Sequence, residues 1–470
     1  MVMVAFFRSL SLCRIIRFLE PKLLGNAPRR IDNSKTPLYF FVNSRYCCVK
    51  MKLDSPEFKA IFTPELEDLA KIFDKYGYEI RIAGGAVRDL LSGKVPNDLD
   101  FATTATPEEM KEMFTAENVR LINANGEKHG TITPRINDKE NFEVTTLRID
   151  EVTDGRHAQV KFTTDWKLDA NRRDLTINSM FLGLDGTVYD YFNGSEDLKK
   201  KRVTFVGDAR TRIQEDYLRI LRYFRFYGRI AQGPNDHEED TLKALQENLD
   251  GLNRISGERI WSELKKILSG NFAGEIFNTM LEIGIAPFIG LPSEPNKVEM
   301  IELWKRSKNY KLQPMTIVAS LLHSEEEMMN FHARIKLSAY ERDLGIFIVN
   351  NRDIKEQSNP LRQYQTLLAL SKFKQNDVRE WIRELLKYKG NIPTLEEFDQ
   401  WKLPKFPING NILLEKGVPG GKKMGPVLTK LKEYWIENDF KTSPEELMEK
   451  LPEVMNELDL NFNPNPVKKK

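Results

Sequence analysis

The chain has 470 residues, 40% of them hydrophobic and 30% charged, which is length for about three domains with buried cores. Its most apolar runs, such as 317–322 and 346–349, fall far short of the roughly 20 residues that span a bilayer, which excludes a membrane-embedded protein. The net charge of +2 divides into +7 over residues 1–50 and −5 over the rest.

Residues 1–50 are rich in Arg and poor in acids, and they mix Leu, Ile and Phe with Ser. An amphipathic helix is predicted over 7–19, with Arg8, Arg14 and Arg17 off its apolar face. This is the composition of a mitochondrial transit peptide, with a disordered basic arm as the alternative. Cys13, Cys47 and Cys48, the only cysteines, all lie here. The rest of the chain therefore has no disulfide framework and no thiolate metal site, and no disulfide-linked partner is expected. Ordinary globular composition resumes at Met51, and initiation there would give a second product for the cytosol or nucleus.

Between residues 57 and 190 helical patterns alternate with strand-like runs at 79–83, 99–102, 130–136, 142–147 and 188–191. Beyond residue 196 strand signals nearly vanish and 3.6-residue periodicity dominates. An α+β head followed by an all-helical remainder is expected.

The densest signal follows the first of these strands. Gly84-Gly85-Ala86-Val87-Arg88-Asp89 opens a helix, and a glycine pair at a strand–helix turn lets backbone amides approach a phosphate. A plain structural turn has the same look. After Pro96-Asn97 comes Asp98-Leu99-Asp100-Phe101, an alternation that sets two carboxylates on one face of a half-buried strand. Such acids repel unless a hard cation lies between them, which calls for Mg²⁺. Glu143, in the alternating run 142–147, is the candidate third carboxylate. Three carboxylates with two Mg²⁺ ions suit nucleotidyl transfer, activating a 3′-hydroxyl and neutralising a pyrophosphate leaving group.

Arg172-Arg173-Asp174-Leu175-Thr176-Ile177-Asn178 offers arginine forks for phosphate and amide or carboxylate groups for a ribose; a capped helix with surface arginines is the alternative. The run 210–229 is predicted as one helix on which Asp216 and Arg219, three residues apart, lock each other while their outer edges meet a base. An ordinary salt-bridged helix with an aromatic core stripe has the same pattern. The five histidines show no metal-ligand spacing, and neither a Walker A nor a Gly-x-Gly-x-x-Gly motif is present.

In this order the motifs resemble those of the class II CCA-adding enzymes (tRNA nucleotidyltransferases) of the polymerase-β-like superfamily, and in particular their animal mitochondrial and cytosolic members. Asp190-Tyr191-Phe192-Asn193-Gly194 is similar to the family's head–neck hinge, Glu215-Asp216-x-x-Arg219 to its nucleotide-selecting helix, and Ser256-Gly257-Glu258-Arg259 to a neck motif. The resemblance implies a polymerase-β-like nucleotidyltransferase head with a mixed sheet over 51–194, a helical neck over 195–270, a body over 271–385 and a tail over 386–470. It implies addition of C, C and A to tRNA from CTP and ATP. Asp98 and Asp100 would bind Mg²⁺, Glu143 would activate the primer, and Gly85 and Arg88 would hold triphosphate. Arg173 and Asn178 would meet the ribose side, Asp216 and Arg219 would read the base, and Arg222 and Arg225 would complete the pocket. The third acid departs from the family pattern in being Glu. Loops 126–130 and 154–157 are candidates for the switch from C to A, and the lysine runs 199–202 and 422–423 for tRNA contact. A poly(A) polymerase of the same superfamily and an inactive RNA-binding scaffold are the competing functions.

Overall fold

The structure is a computed structural model, and it describes residues 49–122, 124–153, 158–355 and 359–460. The expected targeting helix at 7–19, all three cysteines and the loop 154–157 lie outside the described residues.

A nine-stranded mixed sheet organises the N-terminal part in the order β1-β11-β10-β2-β3-β7-β5-β4, with β6 on β5. These strands are β1 (Val49–Lys52), β2 (Ile80–Ala83), β3 (Asp100–Thr103), β4 (Arg120–Ile122), β5 (Thr131–Ile136), β6 (Glu140–Asn141), β7 (Glu143–Thr146), β10 (Phe181–Gly183) and β11 (Thr187–Asp190). The hairpin of β8 (Arg148–Thr153) and β9 (Ala158–Phe162) stands apart. Strands β2 and β3 run antiparallel, whereas β3 and β7 run parallel with Asp100 opposite Glu143. Side chains alternate across the sheet. Ile82, Phe101 and Val144 enter the main core, while Ala83, Ala102 and Phe181 join Trp166 and Ala170 on the opposite face.

From Gly194 onward, named helices and short 3₁₀ turns are the regular elements among the described residues. Many open on an oxygen-bearing cap followed by Pro or Glu. Ser338 with Glu341 and Ser443 with Glu446 form complete capping boxes, so orphan amides are satisfied locally. The main core runs continuously from Phe58 to Phe398, and a second cluster holds Ala369 and residues from Ile408 to Met455.

Besides the short strands β1, β4 and β6, which lie outside the expected runs, further features depart from the sequence-based expectations. Strand β3 begins at Asp100, so Asp98 lies in the preceding bend, because β2 ends at Ala83 and leaves the residues before Asp100 without a ladder partner. The predicted helix 210–229 is two helices, Ala209–Glu215 and Arg219–Ile230, broken at Asp216. Strand β10 was not predicted, being three residues buried on both faces with no alternation. The β8–β9 hairpin was also missed, since its sequence is too charged to signal a buried face.

Candidate active site

Strand β2 ends at Ala83, Gly84 follows with a φ of 64° and ψ of −122° that are open to glycine alone, and the helix Gly85–Leu91 starts at once. A Cβ on Gly84 would meet Arg173 NH1 at 3.4 Å, and one on Gly85 would meet Arg88 NH2 at 3.5 Å. Two guanidinium groups therefore lie directly over the glycine turn.

Buried acids hold these cations in place. Asp169, on the helix Trp166–Asn171, accepts from Arg172 Nε at 2.9 Å, from the Arg148 amide at 3.1 Å, and from Arg173 Nε and NH2 at 3.2 and 3.1 Å. Asp174 accepts from the Leu175 amide at 2.8 Å, from Asn178 Nδ2 at 3.3 Å and from Arg222 Nε at 2.7 Å. Burial opposes ionisation of both acids. The Arg173 and Arg172 charges at Asp169, and Arg222 at Asp174, nonetheless hold their carboxyls below the ordinary range. Asn178 continues the chain, its Oδ1 accepting from Arg88 NH1 at 2.6 Å. Burial beside Arg172 pushes the Arg148 guanidinium down to about 10, so it stays charged at neutral pH.

The break between the two helices has a local cause. Asp216 is extended, with φ −151° and ψ 105°, and its Oδ1 accepts from the Leu218 amide at 3.1 Å, an Asx turn that interrupts the helix. Its Oδ2 faces Arg259 NH2 at 3.3 Å. The expected Asp216–Arg219 lock is replaced by another: Arg219 donates to Glu215 Oε2 at 2.6 Å, to Arg212 O at 3.0 Å and to Arg172 O at 2.9 Å. Among the described residues three of its five N–H donors are thus committed, which leaves two for a ligand. Further along the same helix, Phe226 lies beneath three guanidinium groups, those of Arg225, Arg88 and Arg222, at 4.3, 5.1 and 5.6 Å from its ring centre.

These groups line one cavity of about 1100 Å³. It brings together Gly85, Arg88, Arg173, Asn178, Asp216, Arg219, Arg222 and Arg225, with nine arginines and one lysine against four carboxylates. Such an excess of fixed positive charge suits a polyanion. Asp98, Asp100 and Glu143 are outside its lining. Asp100 and Glu143 are on the sheet and Asp98 is in the bend that precedes β3, and there burial, then Glu143, then Asp98 raise the Asp100 carboxyl, and Arg173 opposes them. Sequence reasoning missed Asp169, Phe226 and Arg229, and gave Asp174 no separate role. The Arg-Arg-Asp string and the i, i+3, i+4, i+7 spacing of Arg222, Arg225, Phe226 and Arg229 are the signals that point to the last three.

The segment similar to a hinge is a tightly bonded corner. Asp190 accepts from the Gly194 and Ser195 amides, both at 2.9 Å, and a Cβ on Gly194 would overlap the Thr176 carbonyl. The lysine run 199–202 is partly neutralised, by Lys200 on Glu196 and Arg202 on Asp197 and Glu238.

Residues 80–204 match a family described as the poly A polymerase head domain, and residues 237–292 one described as the probable RNA and SrmB-binding site of polymerase A. The mitochondrial CCA tRNA nucleotidyltransferase 1 of Mus musculus is 52% identical over 414 residues, 86% of this chain and 95% of that protein. The chain belongs to the CCA tRNA nucleotidyltransferase family. The Homo sapiens protein of the same name is 51% identical over the same shares. The Bacillus stearothermophilus CCA-adding enzyme, solved in complex with CTP, superposes with a TM-score of 0.69 at 24% identity, over 86% of this chain and 99% of that one. That likeness fixes the fold, an α+β nucleotidyltransferase head followed by helices. Among the described residues no helix is long and apolar enough to cross a membrane.

Proposed function

We propose that this enzyme adds C, C and A in turn to the 3′ end of tRNA, taking them from CTP and ATP without a nucleic-acid template and releasing pyrophosphate. The observation that carries this is one cavity that sets the glycine turn, with Arg88 and Arg173 over it, opposite the broken helix bearing Asp216 and Arg219. Arg88, Arg173, Arg222 and Arg225 supply charge for the triphosphate and its ribose end, and Gly85 lets it approach the backbone. Asn178 holds Arg88, and among the described residues one of its amide N–H donors has no partner. The free donors of Arg219 and the carboxylate of Asp216 offer a donor–acceptor edge that suits the exocyclic amines of C and A. Asp216 must then leave Arg259.

Enzymes of this family use divalent metals, and the donor set here fits Mg²⁺. Among the described residues no three ligating side chains already form an ion-sized cage. Open carboxylates completed by substrate phosphates are how Mg²⁺ is commonly held. Burial, and then repulsion from Glu143 and Asp98, raise the Asp100 carboxyl, and such a group of acids suits a cation. Asp98 and Asp100 would hold the metal, which when bound stabilises the attacking oxygen and the leaving pyrophosphate. Glu143 accepts the proton as the primer 3′-oxygen bonds to the α-phosphorus and the bond to the β-phosphate oxygen breaks. We assign residues 1–50 as a mitochondrial transit peptide and initiation at Met51 as the source of a cytosolic or nuclear form. Residues 51–194, 195–270, 271–385 and 386–470 are proposed as head, neck, body and tail.

The test uses purified residues 51–470, a tRNA transcript lacking its last three nucleotides, Mg²⁺, and CTP and ATP separately and together, with sequencing of the 3′ ends. Termination at CCA is expected. An A-only ladder identifies a polyadenylating enzyme, and no extension by folded protein identifies a binding scaffold.

A further inference from the structure

The helix Arg219–Ile230 starts at the base-reading end of the cavity and carries Arg229 in its last turn, ten residues and about 15 Å further along. Arg229 NH2 donates to Asp89 Oδ1 at 3.1 Å and to Oδ2 at 2.8 Å, across from one helix to the other. The same Asp89 Oδ1 accepts from Nε and NH2 of Arg88, both at 3.2 Å. Arg88 is 3% exposed, and among the described residues Asp89 is its one ion-pair partner. The carboxylate that aims the buried Arg88 at the glycine turn is therefore itself held by the far end of the base-reading helix.

We infer that Arg229 is a positioning residue that, through Asp89, fixes the distance between the triphosphate grip of Arg88 and the base-reading edge of Asp216 and Arg219. The inference rests on the cavity being a nucleotide site. Half of the Arg229 side chain is exposed, so the pair adds little to stability, and its effect lies in aiming Arg88. A nucleotide must satisfy both ends of this ruler at once. Loosening the far end weakens binding of every nucleotide and narrows discrimination by base.

The test compares R229Q and R229K with wild type on the tRNA transcript. In R229Q the KM for CTP and for ATP is expected to rise about two- to fivefold with kcat little changed, and the preference for CTP over UTP to narrow by a similar factor. The melting temperature should stay within about 2 °C of wild type, and R229K, which keeps charge but loses the fork, should fall between the two. Wild-type KM and selectivity in R229Q overturn the inference. Hydrogen exchange of the amides of Gly85–Leu91 judges it without catalysis: exchange several-fold faster in R229Q supports it, and identical exchange overturns it. Failure of the wild type to extend tRNA refutes CCA addition instead, and the exchange result still decides the role of Arg229.

Discussion

Gly84 and Asp100 show how single residues pay for a site in opposite ways. Gly84 takes up a φ of 64° that any side chain resists, at a cost of about 1–3 kcal/mol, and a Cβ there would sit against the Arg173 guanidinium at 3.4 Å. G84A is expected to lose about that much stability in urea unfolding and to raise the KM for both nucleotides; equal stability would mean that the turn relaxes freely. Asp100 is held against repulsion from Glu143 and Asp98 after partial loss of solvent. Removing its charge relieves the cluster, so D100N is expected to melt higher than wild type in EDTA while losing about three orders of magnitude or more in activity. Addition of Mg²⁺ should then raise the melting temperature of the wild type and leave that of D100N nearly unmoved. A lower melting temperature for D100N in EDTA would make Asp100 a structural residue.

The helix Arg219–Ile230 shows what periodicity tells and what it hides. Arg222, Arg225, Phe226 and Arg229 share a stripe that the sequence displays, whereas the break at Asp216 depends on one side chain bonding a nearby amide, a choice that periodicity does not reveal. The rear of the helix is equally specific. His237 accepts or donates at 3.0 Å to the Tyr223 hydroxyl and stacks on Tyr227 at 3.7 Å. Burial, opposed by the Asp236 charge, pushes its imidazole down to about 4 from the usual 6.5. The unfolded chain therefore takes up a proton that the folded chain refuses. Stability from this group is full above pH 6.5 and is lost as pH falls toward 4, by about 1–2 kcal/mol after solvent screening. H237Q keeps a partner for Tyr223 without titrating, so its urea midpoint should fall less than that of wild type between pH 6.5 and 4. Parallel slopes in the two proteins would remove His237 as the cause.

Over the whole molecule, the division into an α+β head and a helical remainder was legible because strand-like runs are confined to the residues before 196, where they alternate with helical patterns, and the 3.6-residue period continues alone beyond. The parallel pairing that puts Glu143 opposite Asp100 was suggested only by one alternating run, and the acid hubs Asp169 and Asp174 depend on contacts that no local pattern records. Charge has the same property: the −5 carried by residues 51–470 argues against broad attraction to RNA, yet the cavity gathers cations and the turn Gly421–Lys423 exposes two lysines. Lys422 and Lys423 are exposed on the 3₁₀ turn Gly421–Lys423 that leads into the helix Met424–Glu437, whereas the run 199–202 is partly spent on internal ion pairs. Each phosphate neutralised contributes about 0.7–0.9 to the slope of log affinity against log salt. With few such contacts, binding of tRNA should show a shallow slope, about 3–4 in magnitude. K422A/K423A should reduce it by about 1–2, whereas K199A/K200A should change it by less than about 1. A steep slope indifferent to Lys422 and Lys423 would place the main RNA contact elsewhere on the molecule.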